Sequence, residues 1–140
     1  MAMEMQSVNF LAIVVSAIVS MALGMLWYGP LFGKAWMKMA GLSKEDMEKA
    51  KKAGMAKAYV ITLFGALIMA YVLAHFVQAG NLATITGGAM IGFWAWLGFV
   101  ATTSLSPILW EKKPWSLYVL NNGYTLAVLL ANGAILAVWR

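Results

Sequence analysis

The amino-acid sequence predicts an all-α integral membrane protein, a bundle of four transmembrane helices in a single domain over residues 1–140. Of the 140 residues, 63% are hydrophobic and only 11% are charged, whereas soluble domains have ~45–50% apolar and ~25% charged residues. The charged residues are gathered in short segments that separate long uncharged runs. A soluble fold of this length could not bury so much apolar surface, so we expect a lipid environment.

The uncharged runs have the lengths of membrane spans. They contain 29, 53 and 26 residues, over 5–33, 58–110 and 114–139. Because a helix crosses the hydrocarbon with about 20 residues, the first and last runs hold one helix each. The middle run must reverse, and Gly80-Asn81 tolerates the backbone angles of a tight turn. We predict helices over about 8–29, 58–78, 82–109 and 115–139.

The basic residues predict the orientation in the membrane. Nine of the ten lie in the first and third loops, and only Arg140 lies elsewhere. By the positive-inside rule, both basic loops are cytoplasmic and both termini lie outside, as in a multi-pass protein of a plasma or inner membrane. The first loop should hold short helices over 31–56, one of them over Lys44–Ala53 behind a Ser43 cap. We expect five aromatic residues to lie at the level of the lipid headgroups, where Trp and Tyr are enriched: Trp27, Tyr28, Trp36, Trp110 and Trp115.

Small residues recur every four positions in each predicted helix and so form a stripe along one face. Such stripes allow the close backbone approach on which helix packing in lipid depends. They therefore predict a tightly packed bundle without a wide pore. The stripes comprise Ala12, Ser16, Ser20 and Gly24; Ala58, Thr62, Ala66, Ala70 and Ala74; Gly88 and Gly92, then Gly98, Thr102 and Ser106; and Gly123, Ala127 and Ala131.

The two halves of the chain share a short pattern. Residues 29–36 have a proline at the second position and a tryptophan at the last position, and so do residues 106–115. The next helices open with Ala58-Tyr59-Val60-Ile61 and Leu117-Tyr118-Val119-Leu120. Two alternatives stay open: a duplication into two parallel helix-hairpin repeats, or a chance similarity.

Polar side chains inside the spans are few, and none is Asp, Glu, Lys or Arg. His75 is the one candidate titrating group, with a proton relay and an interfacial role as the two interpretations. Asn side chains of the last helix need partners, which Thr and Ser of the third helix can supply. They predict either interhelical pairing or a small polar pocket on the cytoplasmic side. The candidate pocket comprises Thr102, Thr103, Ser106, Asn121, Asn122, Tyr59 and Tyr118.

Three segments resemble one family. They are GMLWYGPLFGKAW over Gly24–Trp36, GFVATT over Gly98–Thr103 and Asn122-Gly123-Tyr124. This pattern is similar to that of the Domain of Unknown Function 1761 family of small membrane proteins and covers most of the chain. The resemblance implies a four-helix membrane protein. It implies no activity and no functional residues.

The composition and motifs also bound the function. The chain has no cysteine, and it has none of the spacings of a zinc, nucleophile or phosphate-binding motif. We therefore expect no enzyme, no cofactor and no metal, and the lysines flank apolar runs in a way that does not suit nucleic acid. Membrane lipids and further copies of the chain are the expected partners. We expect a compact bundle that binds a lipid, a small apolar ligand or a partner protein. The alternative is a small transporter or channel that uses the polar pocket between helices three and four.

Overall fold

A computed structural model describes residues 8–81 and 83–139, and these residues fold into helices joined by short turns. Two π-helical turns interrupt the long helical segments, one at Trp27–Leu31 and the other at Trp96–Ala101. A short 3₁₀ turn covers Thr103–Leu105. The α-helices are α1 (Phe10–Leu26), α2 (Gly33–Ala40), α3 (Lys44–Ala53), α4 (Ala56–Ala79), α5 (Ile85–Ala95), α6 (Ser106–Trp110) and α7 (Trp115–Val138).

Three helical segments are long and apolar enough to cross a membrane: Phe10–Leu31, Ala56–Ala79 and Trp115–Val138. A fourth is added if Ile85–Ala101 and Thr103–Trp110, which meet at 41°, form one span. The described residues are thus all-helical with three or four candidate spans. Three features used in the sequence-based prediction lie outside the described residues: Glu4, Arg140 and the predicted helix start at Leu82.

The third predicted span, 82–109, is broken where a continuous helix was expected. The hydroxyls of Thr102 and Thr103 donate to the carbonyls of Gly98 and Phe99. Such side-chain bonds to the preceding turn compete with the backbone ladder and bend helices. Pro107 then lies in the first turn of α6, where its missing N–H is tolerated but could not have continued the previous helix.

The first predicted span, 8–29, is also interrupted near its C-terminal end. Regular α-helix ends at Leu26, and Gly29 has the non-helical angles φ −109° and ψ −106°. Pro30 follows and removes one backbone donor from the helix. The chain then turns into α2, which ends at Gly41 in the left-handed conformation that glycine favours.

The helix α3 has the bounds Lys44–Ala53 that its sequence predicts. The Asp46 N–H donates to the Ser43 hydroxyl at 3.1 Å, and the Ser43 N–H donates back to the Asp46 carboxylate at 2.9 Å. Together they form a capping box. Hydrogen bonds from the backbone N–H of Ser43, and next from its side chain, hold the pKa of the Asp46 carboxyl below its ordinary value.

The closest helix contact joins α5 to α7. A Cβ on Gly88 would overlap the Gly133 carbonyl oxygen, and one on Gly92 would overlap the Leu129 carbonyl oxygen. The α7 glycine in this contact is therefore Gly133, which lies outside the stripe predicted for the last helix. Bare backbone on both sides allows this approach, as expected for packing in lipid.

The other small-residue stripes are buried in part. Ser16 and Ser20 of α1 and Ala70 and Ala74 of α4 are buried, and these helices pack against each other. The N-terminal part of the α4 stripe, Ala58 and Thr62, is exposed. The buried residues of α4 therefore all lie in its C-terminal half.

The α5–α7 contact makes Gly92→Ala destabilising. The added Cβ would lie 2.7 Å from the Leu129 carbonyl carbon, and overpacking of this kind costs about 1–3 kcal/mol. We expect a lower unfolding temperature in detergent by circular dichroism. The matched control is Gly65→Ala, where a Cβ meets no atom within 4 Å, so the better helix former should stabilise by about 0.5–1 kcal/mol. Equal unfolding temperatures for the two variants would contradict the close contact.

Candidate functional site

A buried polar pair joins α1 to α7. The Asn132 side-chain amide donates to the Ser20 hydroxyl at 3.0 Å, and both residues are buried. The Ser20 hydroxyl donates in turn to the Ser16 carbonyl at 2.9 Å. From α7, the Tyr124 hydroxyl donates to the Ser20 carbonyl at 2.9 Å. These bonds satisfy polar groups that hydrocarbon would leave unpaired.

The π-helical turn after α1 directs two aromatic side chains onto α7. The Trp27 indole N–H donates to the Leu120 carbonyl at 3.0 Å, and the Tyr28 hydroxyl donates to the Asn121 side-chain oxygen at 2.7 Å. The predicted position of Trp27 and Tyr28 at headgroup level did not anticipate these hydrogen bonds to α7. Trp110, by contrast, is 82% exposed.

A second polar cluster surrounds Asn122 on the α5 side of α7. The Ser104 hydroxyl lies 3.0 Å from the Asn122 side-chain oxygen, and the Asn122 amide donates to the Tyr118 carbonyl at 3.0 Å. The Tyr118 hydroxyl donates to the Ala101 carbonyl at 2.7 Å. The Trp96 indole N–H donates to the Asn122 carbonyl at 3.1 Å. Asn122 is buried, and the hydrogen bonds of this cluster link α7 to the π-helical and 3₁₀ turns that follow α5.

The structure divides the seven candidate pocket residues. Asn122 and Tyr118 belong to one cluster, while Asn121 bonds to Tyr28 on another side of α7. Successive residues of a helix point about 100° apart, so two adjacent Asn side chains face different neighbours. The other four residues are exposed, and none of them belongs to either cluster: Thr102, Thr103, Ser106 and Tyr59.

Sequence reasoning did not identify the indole donors Trp27 and Trp96. Each of them begins a π-helical turn and is followed two residues later by glycine, at Gly29 and Gly98. This shared Trp-x-Gly spacing is the sequence feature that could have pointed to the two indole donors. Its meaning depends on the position of α7, which supplies both carbonyl acceptors.

His75 lies near the C-terminal end of α4, against Tyr71. The two rings meet edge to face with centroids 4.7 Å apart. The His75 Nε2 atom is buried and has no hydrogen-bond partner among the described residues. Among residues 8–81 and 83–139, no three His, Cys, Asp or Glu side chains come together as a metal site would require.

An apolar groove of about 290 Å³ lies between α4, α7 and the segment from α5 to its π-helical turn. This volume lies near the lower end of the ~300–1,000 Å³ range of ligand sites. The α4 and α5 helices contact each other little, which leaves the groove open along its side. The lining residues are Met69, Val72, Leu73, Phe76, Ala95, Phe99, Val100 and Leu129.

One comparison with known proteins produced a match. The model of a family described as "Protein of unknown function (DUF1761)" matches residues 11–137. That range includes both π-helical turns, both polar clusters and every residue that lines the groove. No match was found among curated proteins or among solved structures.

The Ser20–Asn132 pair predicts energetic coupling between α1 and α7. In a double-mutant cycle with Ser20→Ala and Asn132→Ala, we expect coupling of about 0.6 kcal/mol, and at most about 1.7 kcal/mol. Reversible unfolding in mixed detergent micelles would measure it. A control cycle pairs Ser20→Ala with Asn121→Ala, because Asn121 bonds to Tyr28 instead. Coupling of equal size in both cycles would contradict the assigned pairing.

Proposed function

We propose that this chain, which belongs to the DUF1761 family of proteins of unknown function, is a non-enzymatic membrane protein that binds an acyl chain. The observation that carries the proposal is the groove beside α4, whose lining side chains are all apolar. Family membership supplies no activity, so the proposal rests on this geometry. The ligand class is a lipid or another molecule with one flexible apolar chain.

The shape of the groove supports a chain-like ligand. It opens sideways between α4 and α5, in the direction from which lipid would enter. Phe99 and Val100 line it from within the π-helical turn. Such turns alter the regular helical spacing and often occur at functional sites.

The polar clusters favour binding over transport. The side chains of Asn121, Asn122 and Asn132 are each hydrogen-bonded inside a helix interface. A transport path would instead use such groups along a water-accessible cavity, and ion coupling would need a buried ionisable group. The proposal does not include catalysis, because no acid, base or nucleophile is among the residues that line the groove.

We further propose four spans with both termini outside and the basic loops in the cytoplasm. The Lys113 ammonium of the third loop lies 3.5 Å from the Ala40 carbonyl of the first loop. This contact supports a common side for the two basic loops, which the positive-inside rule then assigns to the cytoplasm. It requires the bent pair Ile85–Ala101 and Thr103–Trp110 to act as one span.

The proposal includes two parallel repeats. In each half, a helix leads into a π-helical turn, a proline lies in that turn or in the short helix after it, one or two short helices follow, and a 24-residue helix comes last. The prolines are Pro30 and Pro107, and the long helices are α4 and α7. The common order of these elements supports a duplication.

A homo-oligomer is the proposed assembly. The homo-oligomer is supported by the exposed apolar side chains on one side of α1, which are Phe10, Leu11, Val14 and Ile18. Light scattering of the purified protein in detergent should give a multiple of the 15.2 kDa chain mass. A particle of one chain would remove this part of the proposal.

Photolabelling tests the binding proposal. A phosphatidylcholine with a mid-chain diazirine should label groove residues such as Met69 and Phe76 above the other exposed apolar residues, as peptide mass spectrometry can measure. Val72→Phe should reduce this labelling severalfold, because the larger side chain fills the groove. Val60→Phe is the matched control, since Val60 is an exposed valine of the same helix and does not line the groove. Equal labelling in both variants would contradict the proposal.

Reporter fusions test the proposed orientation. A reporter after residue 140 that is active only outside the cytoplasm should be active, and one inserted at Gly54, between α3 and α4, should be inactive. The nine lysines of the two loops are the reason for this expectation. Activity in the reverse pattern would overturn the topology.

A further inference from the structure

We infer that the groove has a closed state, in which the N-terminal half of α4 packs against the segment that follows α5 and the Phe99 ring lies on Gly65. An acyl chain in the groove holds these two segments apart. The inference rests on the proposed acyl-chain binding and adds its regulation, since the open groove accepts a chain and the closed state excludes it.

The two walls of the groove separate toward the N-terminal end of α4. They come together around Met69 of α4 and Ala95 of α5, which both line the groove. Beyond that point, residues 56–65 of α4 are all exposed, and so are Phe99 and Thr103 of the other wall. Because exposed residues are not covered by a neighbour, the described residues leave a gap between these two segments. The α4 and α5 helices accordingly contact each other little.

An aromatic side chain and a glycine lie on the two sides of this gap. Gly65 is four residues before Met69 and so lies on the same face of α4, where an added Cβ would meet no atom within 4 Å. Phe99 is four residues after Ala95 and is 66% exposed although it lines the groove. The two helices run in opposite directions from a short turn, so equal steps from Met69 and Ala95 reach about the same depth. A ring can pack directly on the backbone at a glycine, and small residues allow this kind of close approach in lipid.

The other half of the chain already contains a contact of this kind. A Cβ on Gly123 of α7 would lie 3.1 Å from the Trp27 ring, which belongs to the π-helical turn after α1. The Trp27 indole N–H also donates to the Leu120 carbonyl at 3.0 Å. In the proposed two repeats, α5 with its π-helical turn corresponds to α1 with its turn, and α4 corresponds to α7. One contact between the repeats is therefore closed in the structure, and the equivalent contact between α4 and the turn after α5 is open.

The helix breaks supply the hinges that closure needs. The C-terminal half of α4 is held by its buried residues, whereas its start follows Gly54, whose φ is +88°. On the other wall, a π-helical turn and a 3₁₀ turn precede α6, and the segment bends by 41°. Hinges are commonly a few residues at the ends of such elements, which absorb the change in backbone angles. A change at these breaks brings the two exposed segments together and leaves the α5–α7 contact in place.

Closure and acyl-chain binding exclude each other. The groove of about 290 Å³ has Met69 on one wall and Phe99 on the other. A chain placed there separates the Phe99 ring from α4, and the ring packed on Gly65 closes the side through which a chain would enter. A ligand that binds only one of two states shifts the population toward that state. Lipid should therefore favour the open structure, and its removal should favour the closed one.

Disulfide crosslinking tests the closed state, since the chain has no cysteine of its own. The variant is Thr62→Cys with Thr103→Cys, which places one thiol about a turn beyond Gly65 and the other about a turn beyond Phe99. A disulfide requires Cα atoms within about 7 Å, so oxidation in a steroid detergent without an alkyl chain should form it. Added phosphatidylcholine should slow its formation severalfold. The matched control is Phe64→Cys with Thr103→Cys, because position 64 lies about 200° around α4 from position 62 and should crosslink little.

The outcomes separate the closed state from the acyl-chain proposal. A disulfide absent in both media, equal rates with and without phosphatidylcholine, or equal crosslinking of the control would overturn the inference. So would a disulfide that joins two chains, which gel electrophoresis distinguishes by mass, because it would indicate a second copy in the gap. If phosphatidylcholine labels the groove while no disulfide forms, only the closed state fails and acyl-chain binding stands.

Gly65→Leu tests the contact with Phe99 itself. The larger side chain has free space in the open structure and should leave the helical circular dichroism spectrum unchanged, but it should keep the ring away from α4. We expect disulfide formation between positions 62 and 103 to fall severalfold in this background. Ala56→Leu is the control, since position 56 is exposed on the opposite side of α4. Undiminished crosslinking in Gly65→Leu, or an equal loss in Ala56→Leu, would contradict the closed state.

Discussion

The close backbone contact between α5 and α7 is the constraint on which the rest of the structure depends. In lipid, apolar side chains gain little by leaving the solvent, so helices associate where backbones can touch. Gly88, Gly92 and Gly133 meet this condition without a side chain between them. With α5 held so closely, α7 becomes the central helix of the described residues, contacted also by α1 and α4.

The polar bonds then connect the interrupted helices to this central element. Both π-helical turns begin with a tryptophan whose indole N–H donates to an α7 carbonyl, at Leu120 and at Asn122. A break in a membrane helix exposes backbone groups that hydrocarbon cannot satisfy, so it is tolerated where a neighbour or a hydroxyl side chain can bond to them. Here the breaks lie beside α7, and the chain after the second π-helical turn bends by 41°.

The groove on which the proposed acyl-chain binding rests lies against the C-terminal half of α4. The buried residues of this helix, Ala70, Leu73, Ala74 and Val77, all lie in that half. In the N-terminal half, every residue is exposed or partly exposed. The groove begins where burial begins, at Met69.

The sequence by itself determined the helical class, the membrane character and α3 with its Ser43 cap, because these depend on composition, run length and local hydrogen bonds. It also predicted that Asn side chains of the last helix pair with Thr or Ser of the third helix, and Asn122 does bond to Ser104. Only the tertiary structure decided that Asn121 and Asn122 face different neighbours, that Thr102 and Thr103 bond to their own helix and that Trp27 reaches α7. These outcomes depend on where the helices break and how they turn about their axes. Hydropathy measures how apolar a segment is, and it carries no information about which side of a helix meets its neighbour.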